Sequence, residues 1–254
     1  MIVARLEPTD AQLDSPLGRT SPALKLGIAL LWLVGLALTL APGPPIVLAG
    51  IALAAGLTVG GIRPVTLLGA LAPLWLAAVG IGTFNALFST NNGDPTAAEL
   101  FTVGPVRLTA EAVAHGLALA FRVVAIASVG AIFALTTDPT RLADSLVKQA
   151  HLPERFAYGA LAAYGAIPRI GEDLATLRQA RRIRGLRGSW HPRLLIGLLV
   201  LAIRHGDRMA LSMDARGFGS GPRTHYRETR WSRLDLAVGV AAGTALVIAL
   251  AVGR

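Results

Sequence analysis

The chain has 254 residues, of which 53% are hydrophobic and 15% charged, whereas an ordinary soluble domain carries roughly 25% charged residues. It has no cysteine, which excludes disulfides, thiolate metal sites and cysteine nucleophiles. The formal net charge of +9 would suggest nucleic acid in a soluble protein, but here its placement along the chain carries more information than its sum.

Aromatic residues are only 6% of the chain, and Leu, Ala, Val and Ile dominate. That mix suits helices in lipid better than a β-barrel with aromatic girdles. Residues 1–22 are polar and are punctuated by Pro8, Pro16 and Pro22. We read them as a cytoplasmic tail. A signal peptide is not expected, because acids outnumber bases up to Asp14 and no apolar stretch follows directly.

The membrane domain is expected over 23–137. A first apolar run, Leu26–Leu40, ends at Ala41-Pro42-Gly43-Pro44-Pro45, a turn that no helix crosses. A second, Ile46–Val59, ends at Gly60-Gly61-Ile62-Arg63-Pro64. A third, Val65–Phe88, exceeds the ~20 residues needed to span a hydrocarbon core. Ser89–Thr109 reads as a polar loop, and a fourth run, Ala110–Leu135, is interrupted by Glu111, His115 and Arg122. A last span is expected within 234–254, with no charge between Asp235 and Val252.

Between the fourth and last runs, 138–233 holds 17 Lys and Arg against 8 acids. The loop at 89–109 has only Arg107. Cytoplasmic loops collect positive charge, so the N-terminus and 138–233 are placed inside. Four spans return the chain to the inside, and a fifth carries Arg254 outside. The expected fold is therefore an all-α polytopic membrane protein with about five transmembrane helices and cytoplasmic helices between the fourth and the last.

Asp138-Pro139 marks a helix start, with Asp as N-cap and Pro at the first helical position. That helix is expected to reach about Ala150. Pro153 opens another, bent near Pro168 and stopping at Gly185. A further long helix runs from Arg193 to about Ala215 and stops in Gly217-Phe218-Gly219-Ser220-Gly221-Pro222. Its apolar stretch Leu194–Ile203 is too short to span a membrane.

Two long helices thus end in Arg-Gly pairs, Arg184-Gly185 and Arg216-Gly217, with the arginines 32 residues apart. Capping accounts for each alone, since a cation in a last turn is favourable by ~0.3–1 kcal/mol and glycine often follows. A matched pair in one basic segment suggests more, because arginine at a helix tip can clasp carbonyls or carboxylates of a partner.

Among the polar residues within the spans, Arg122 and Asn85 are the candidates. A mid-span arginine is costly and is a functional candidate by default. A structural partner for it would be Glu111, Asn85 or a backbone carbonyl. Gly239 and Gly243 have spacing suited to close helix packing. The five histidines show no metal-ligand spacing. No Gly-x-x-x-x-Gly-Lys-Ser/Thr occurs, so a P-loop ATPase is not expected. The glycines at 217–221 follow a helix, whereas a phosphate cradle opens one. No metal or cofactor site is expected on the chain.

Leu177-Arg178-Gln179-Ala180-Arg181-Arg182-Ile183-Arg184-Gly185 and Ser212-Met213-Asp214-Ala215-Arg216-Gly217-Phe218 resemble the two Ala-Arg-Gly signatures of the transmembrane T component (EcfT, or CbiQ-type) of energy-coupling factor transporters. Gly221-Pro222-Arg223-Thr224, Tyr226-Arg227, Gly104-Pro105-Val106-Arg107-Leu108-Thr109, Thr136-Thr137-Asp138-Pro139 and Arg19-Thr20-Ser21-Pro22-Ala23-Leu24-Lys25 are also similar to the family. The likeness runs from about residue 17. Ile183 stands where the family has alanine, and Asp214 where it often has Glu.

The resemblance implies a non-catalytic coupling subunit in a prokaryotic cell membrane. Two cytoplasmic ATP-binding subunits would receive Arg184, Gly185, Ala215, Arg216 and Gly217. ATP would stay on those partners, and a membrane-embedded substrate-binding subunit would carry a vitamin or metal ion such as cobalt. Nucleic acid is not an expected partner. The competing reading is a membrane-bound enzyme acting on lipid-linked or anionic head groups through Asp207, Asp214 and nearby arginines.

Overall fold

The computed structural model describes residues 8–39, 41–93, 98–103, 106–186, 188, 190–221 and 231–252. Gly104-Pro105, Pro222 to Arg227 and Arg254, used above, lie outside the described residues. The chain divides into two compact units, residues 1–142 with 230–254, and residues 143–229.

The first unit begins with two single helical turns, α1 (Asp10–Leu13) and α2 (Pro16–Arg19). Ser15 caps α2, accepting from the Gly18 amide at 2.9 Å. Gln12, Ser15, Leu17 and Thr20 are buried, so the segment expected to be a tail holds two helical turns and buried side chains among its described residues. Polarity hid this, because short turns satisfy these side chains locally: the Ser15 and Thr20 hydroxyls donate to the Gln12 and Leu17 carbonyls at 2.6 and 2.7 Å.

Proline and glycine set the ends of the apolar helices that follow. Proline stands in the first turn of α3 (Pro22–Ala37), α4 (Gly43–Thr58) and α5 (Pro64–Leu87), where its missing N–H costs nothing. The segment 89–109 holds a 3-10 turn, Thr90–Gly93, and an antiparallel hairpin, β1 (Glu99–Val103) with β2 (Val106–Thr109). The hairpin was absent from the sequence reading. It is fastened by Asn92, which accepts from the Thr109 amide at 3.1 Å, and by an Arg107–Glu99 ion pair of 2.6 Å.

Then come α6 (Ala110–Thr136) and, after the second unit, α11 (Arg233–Val252). The extended segment α5 to Gly93, α6 and α11 are long and apolar enough to cross a membrane; α3 and α4 are shorter apolar helices. At 16 residues each, α3 and α4 reach about 24 Å, against ~30 Å for a hydrocarbon core.

Helix α6 is the centre of the unit and packs on α3, α4 and α5, while α11 packs on α3 and α4. Glycine permits the closest approach. A Cβ on Gly82 would lie 2.9 Å from that of Ala120, and one on Gly116 would lie 2.5 Å from the Gly82 carbonyl. The expected pair in α11 does less, since Gly243 has nothing within 4 Å of a Cβ position. The core includes Trp32, Leu36, Leu48, Leu71, Val124 and Leu135.

Helix α7 (Pro139–Gln149) leads into the second unit, which continues with α8 (Glu154–Gly165), α9 (Ile167–Ile183) and α10 (Pro192–Ala215). The expected bend is a break: α8 ends at Gly165, and Pro168 sits in the first turn of α9. Helix α10 runs back antiparallel to α9 and then α8. Gly197 approaches Leu177, Ala202 and His205 share a hollow with Ile170 and Asp173, and Gly219 meets Arg155.

Candidate coupling tips

The antiparallel arrangement puts Arg184 and Arg216 at opposite ends of one helical pair in the second unit. Helix α10 has 24 residues, so about 36 Å of helix separates those ends.

Both ends are built alike. Arg184 is the C-cap of α9 and Arg216 of α10. Gly185 and Gly217 follow with φ of +70° and +66°, a region that L side chains rarely enter. The Gly185 amide donates to the Arg182 carbonyl at 3.0 Å and the Leu186 amide to that of Arg181 at 3.2 Å. At the second end the Gly217 amide donates to Asp214 at 2.9 Å and the Phe218 amide to Met213 at 3.0 Å. These are two Schellman motifs, in which glycine closes the last turn and satisfies its carbonyls. Each leaves an exposed arginine at the helix tip, beside the exposed Ala215 in the second case.

The surroundings differ. At the first end Ile183, Leu186 and Trp190 are 87%, 50% and 58% exposed. At the second, Phe218 is half-buried, and the Arg155 guanidinium, from the start of α8, donates to the Gly219 carbonyl at 2.8 Å. Gly219 has φ +79°, and a Cβ there would run into the Arg155 guanidinium. Sequence reasoning missed Arg155; the glycines at 217–221 were the one signal that this loop takes a tight path. Helix α8 is itself tied to α7, where the Tyr158 hydroxyl donates to the Asp144 carboxylate at 2.8 Å. Burial and then that hydrogen bond push the Tyr158 phenol up from 10 to about 12.

Both intramembrane candidates, Arg122 and Asn85, hydrogen-bond to backbone carbonyls. The Arg122 guanidinium donates to the Thr39 carbonyl in the turn between α3 and α4. This is the backbone-carbonyl alternative among those open from the sequence, and it places a cation just beyond the C-terminus of α3. Asn85 folds back on its own helix and donates to the Ile81 carbonyl at 2.9 Å. Asp207 and Asp214 are both exposed on α10, two turns apart.

The sequence model of CbiQ, described as a cobalt transport protein, matches residues 14–226. The chain is similar to the energy-coupling factor transporter transmembrane protein EcfT of Heliobacterium modesticaldum, with 29% identity over 253 residues, 93% of this chain and 92% of the relative. The protein of the same name from Listeria innocua is 29% identical over 170 residues, covering 60% of this chain and 61% of the relative. A putative ABC transporter ATP-binding protein of Bifidobacterium longum is 27% identical over 208 residues, 74% of this chain and 26% of the relative.

Proposed function

The chain belongs to the CbiQ family of cobalt transport proteins, and from that premise we propose that it is the transmembrane coupling subunit of an energy-coupling factor transporter. It holds two cytoplasmic ATP-binding subunits, one at each tip, and joins them to a separate membrane subunit that carries a vitamin or a metal ion. ATP binds and is hydrolysed on the partners, and the chain is non-catalytic. It sits in a prokaryotic cell membrane with its N-terminus and the segment 138–233 inside.

One observation supports this reading most. Two Schellman ends with the same pair of closing hydrogen bonds present Arg184 and Arg216 at opposite ends of one helical pair. Capping alone requires neither an arginine at both C-caps nor exposure of both. A span of about 36 Å gives each arginine its own partner surface. A guanidinium can engage carbonyls or carboxylates there as a fork.

The test replaces Arg184 and Arg216 with alanine, singly and together. Truncating a central interface arginine weakens binding about tenfold or more. We expect each single variant to lose affinity for the ATP-binding subunits, and the double variant to lose both co-purification and uptake, with cobalt(II) and B vitamins assayed in turn. Normal co-purification and uptake in the double variant would falsify the proposal.

A further inference from the structure

The second unit is inserted into the first, so the chain crosses between them twice, at 142–143 and at 229–230. Near both crossings the first unit carries buried polar contacts that converge on one place, the first turn of α3. On the outgoing side, Lys25 is buried and its ammonium donates to the carbonyl of Thr136, the last residue of α6, at 2.7 Å. On the returning side, the buried Asp235 carboxylate accepts from two amides, that of Ser21, at the N-cap of α3, and that of Ser232, each at 2.7 Å. Thr136 lies three residues before α7, and Ser232 directly precedes α11.

The Ser232 and Asp235 contacts cap the start of α11, with the Asp235 amide donating back to the Ser232 hydroxyl at 3.2 Å, but the contacts of Lys25 with Thr136 and of Asp235 with Ser21 are not needed to make any helix. Lys25 satisfies a carbonyl of a helix 111 residues away, and Asp235 reaches back 214 residues. Charge-assisted hydrogen bonds in a buried setting resist displacement. We propose that Lys25 and Asp235 are positioning residues that bind both crossings to the first turn of α3, so that movement of the second unit shifts the membrane helices together. This rests on the coupling role proposed above. Without the clamp, ATP-driven movement would be absorbed at the crossings, and hydrolysis would continue without moving the membrane helices.

The test uses the complete complex co-purified with its ATP-binding subunits. The chain lacks cysteine, so a fluorophore on Val247→Cys, at a site 66% exposed on α11, reports on the membrane helices. ATP is the probe. In Lys25→Met and in Asp235→Asn the complex should assemble and hydrolyse ATP as before, while the ATP-dependent fluorescence change falls about tenfold, as expected for loss of one charged buried hydrogen bond. Lys25→Arg, which keeps the donor, should restore it. A full fluorescence response in both variants overturns the clamp. Loss of assembly in both also overturns it, because the contacts would then serve folding and not transmission. Neither result touches the parent reading, which fails only on the Arg184 and Arg216 variants.

Discussion

At one end of the antiparallel pair in the second unit, Arg184 projects from a helix stop flanked by Ile183, Leu186 and Trp190, all exposed. At the other, Arg216 projects from a stop of the same backbone geometry whose loop is held by Arg155. The comparison separates what a Schellman end fixes from what it leaves open. Main-chain hydrogen bonds and a left-handed glycine fix the helix end and the arginine's place at it. The neighbours determine whether a partner meets apolar area or a braced polar loop. Binding at the first end should therefore draw on burial of apolar surface, and at the second on charge and a fixed loop.

The largest expected effect breaks the second end alone. Gly219→Ala imposes left-handed strain and displaces the Arg155 guanidinium; together these cost about 2 kcal/mol. Gly188→Ala near the first end, at φ +95° but with its nearest contact at 3.9 Å, should cost about half as much. Hydrogen exchange of the amides around each loop measures both. Equal costs would mean that Arg155 holds nothing in place.

Next comes Ile183→Ala, which gives the first end the alanine of the second. Partial burial of a large aliphatic side chain in an interface contributes about 1.5 kcal/mol, so affinity for the ATP-binding subunits should fall about tenfold. An unchanged affinity would show that the exposed isoleucine contacts no partner.

A smaller effect is expected from salt. On the proposed function the Arg184→Ala chain would bind through its second end, and raising ionic strength from about 0.1 to 1 M shortens the screening length from ~10 to ~3 Å. Its binding should weaken severalfold more than that of Arg216→Ala, which relies on the apolar end. Titration of both variants at the two salt levels decides this.

The smallest effect concerns Tyr158, which helps anchor the helix that carries Arg155. Its phenol is raised from 10 to about 12. The protonated form is thus favoured by folding, and its contribution is fully present below pH 10. It fades as pH rises from 10 to 12. Tyr158→Phe should flatten that part of the stability-against-pH curve of the complex. An unaltered curve would remove Tyr158 from the brace.

Apolar runs and their proline or glycine stops were legible because they are local. Pro22, Pro64 and Pro192 start helices within a few residues of the expected places, and Gly185 and Gly217 stop them. The first and last runs became α3 and α11 by the same logic. What escaped was long-range pairing of polar groups. Nothing near Arg122 in sequence points to the Thr39 carbonyl 83 residues away, and nothing near Arg155 points to Gly219, 64 residues on. The buried turns before Pro22 escaped for a related reason, since their polar side chains find partners within three residues and so tolerate burial.

The length of α10 has a rotational consequence. Each residue of a helix advances the azimuth by about 100° and the axis by about 1.5 Å. Removing one residue from the middle of α10 would barely shorten it, yet would swing Arg216 to another side of the helix while Arg184 stayed in place. Removing a whole turn would restore the bearing and shorten the span by about 5.4 Å. The second tip is therefore phased to the first through 24 residues of uninterrupted helix, and length changes in α10 that are not close to whole turns should uncouple the two tips even where every contact within each tip survives.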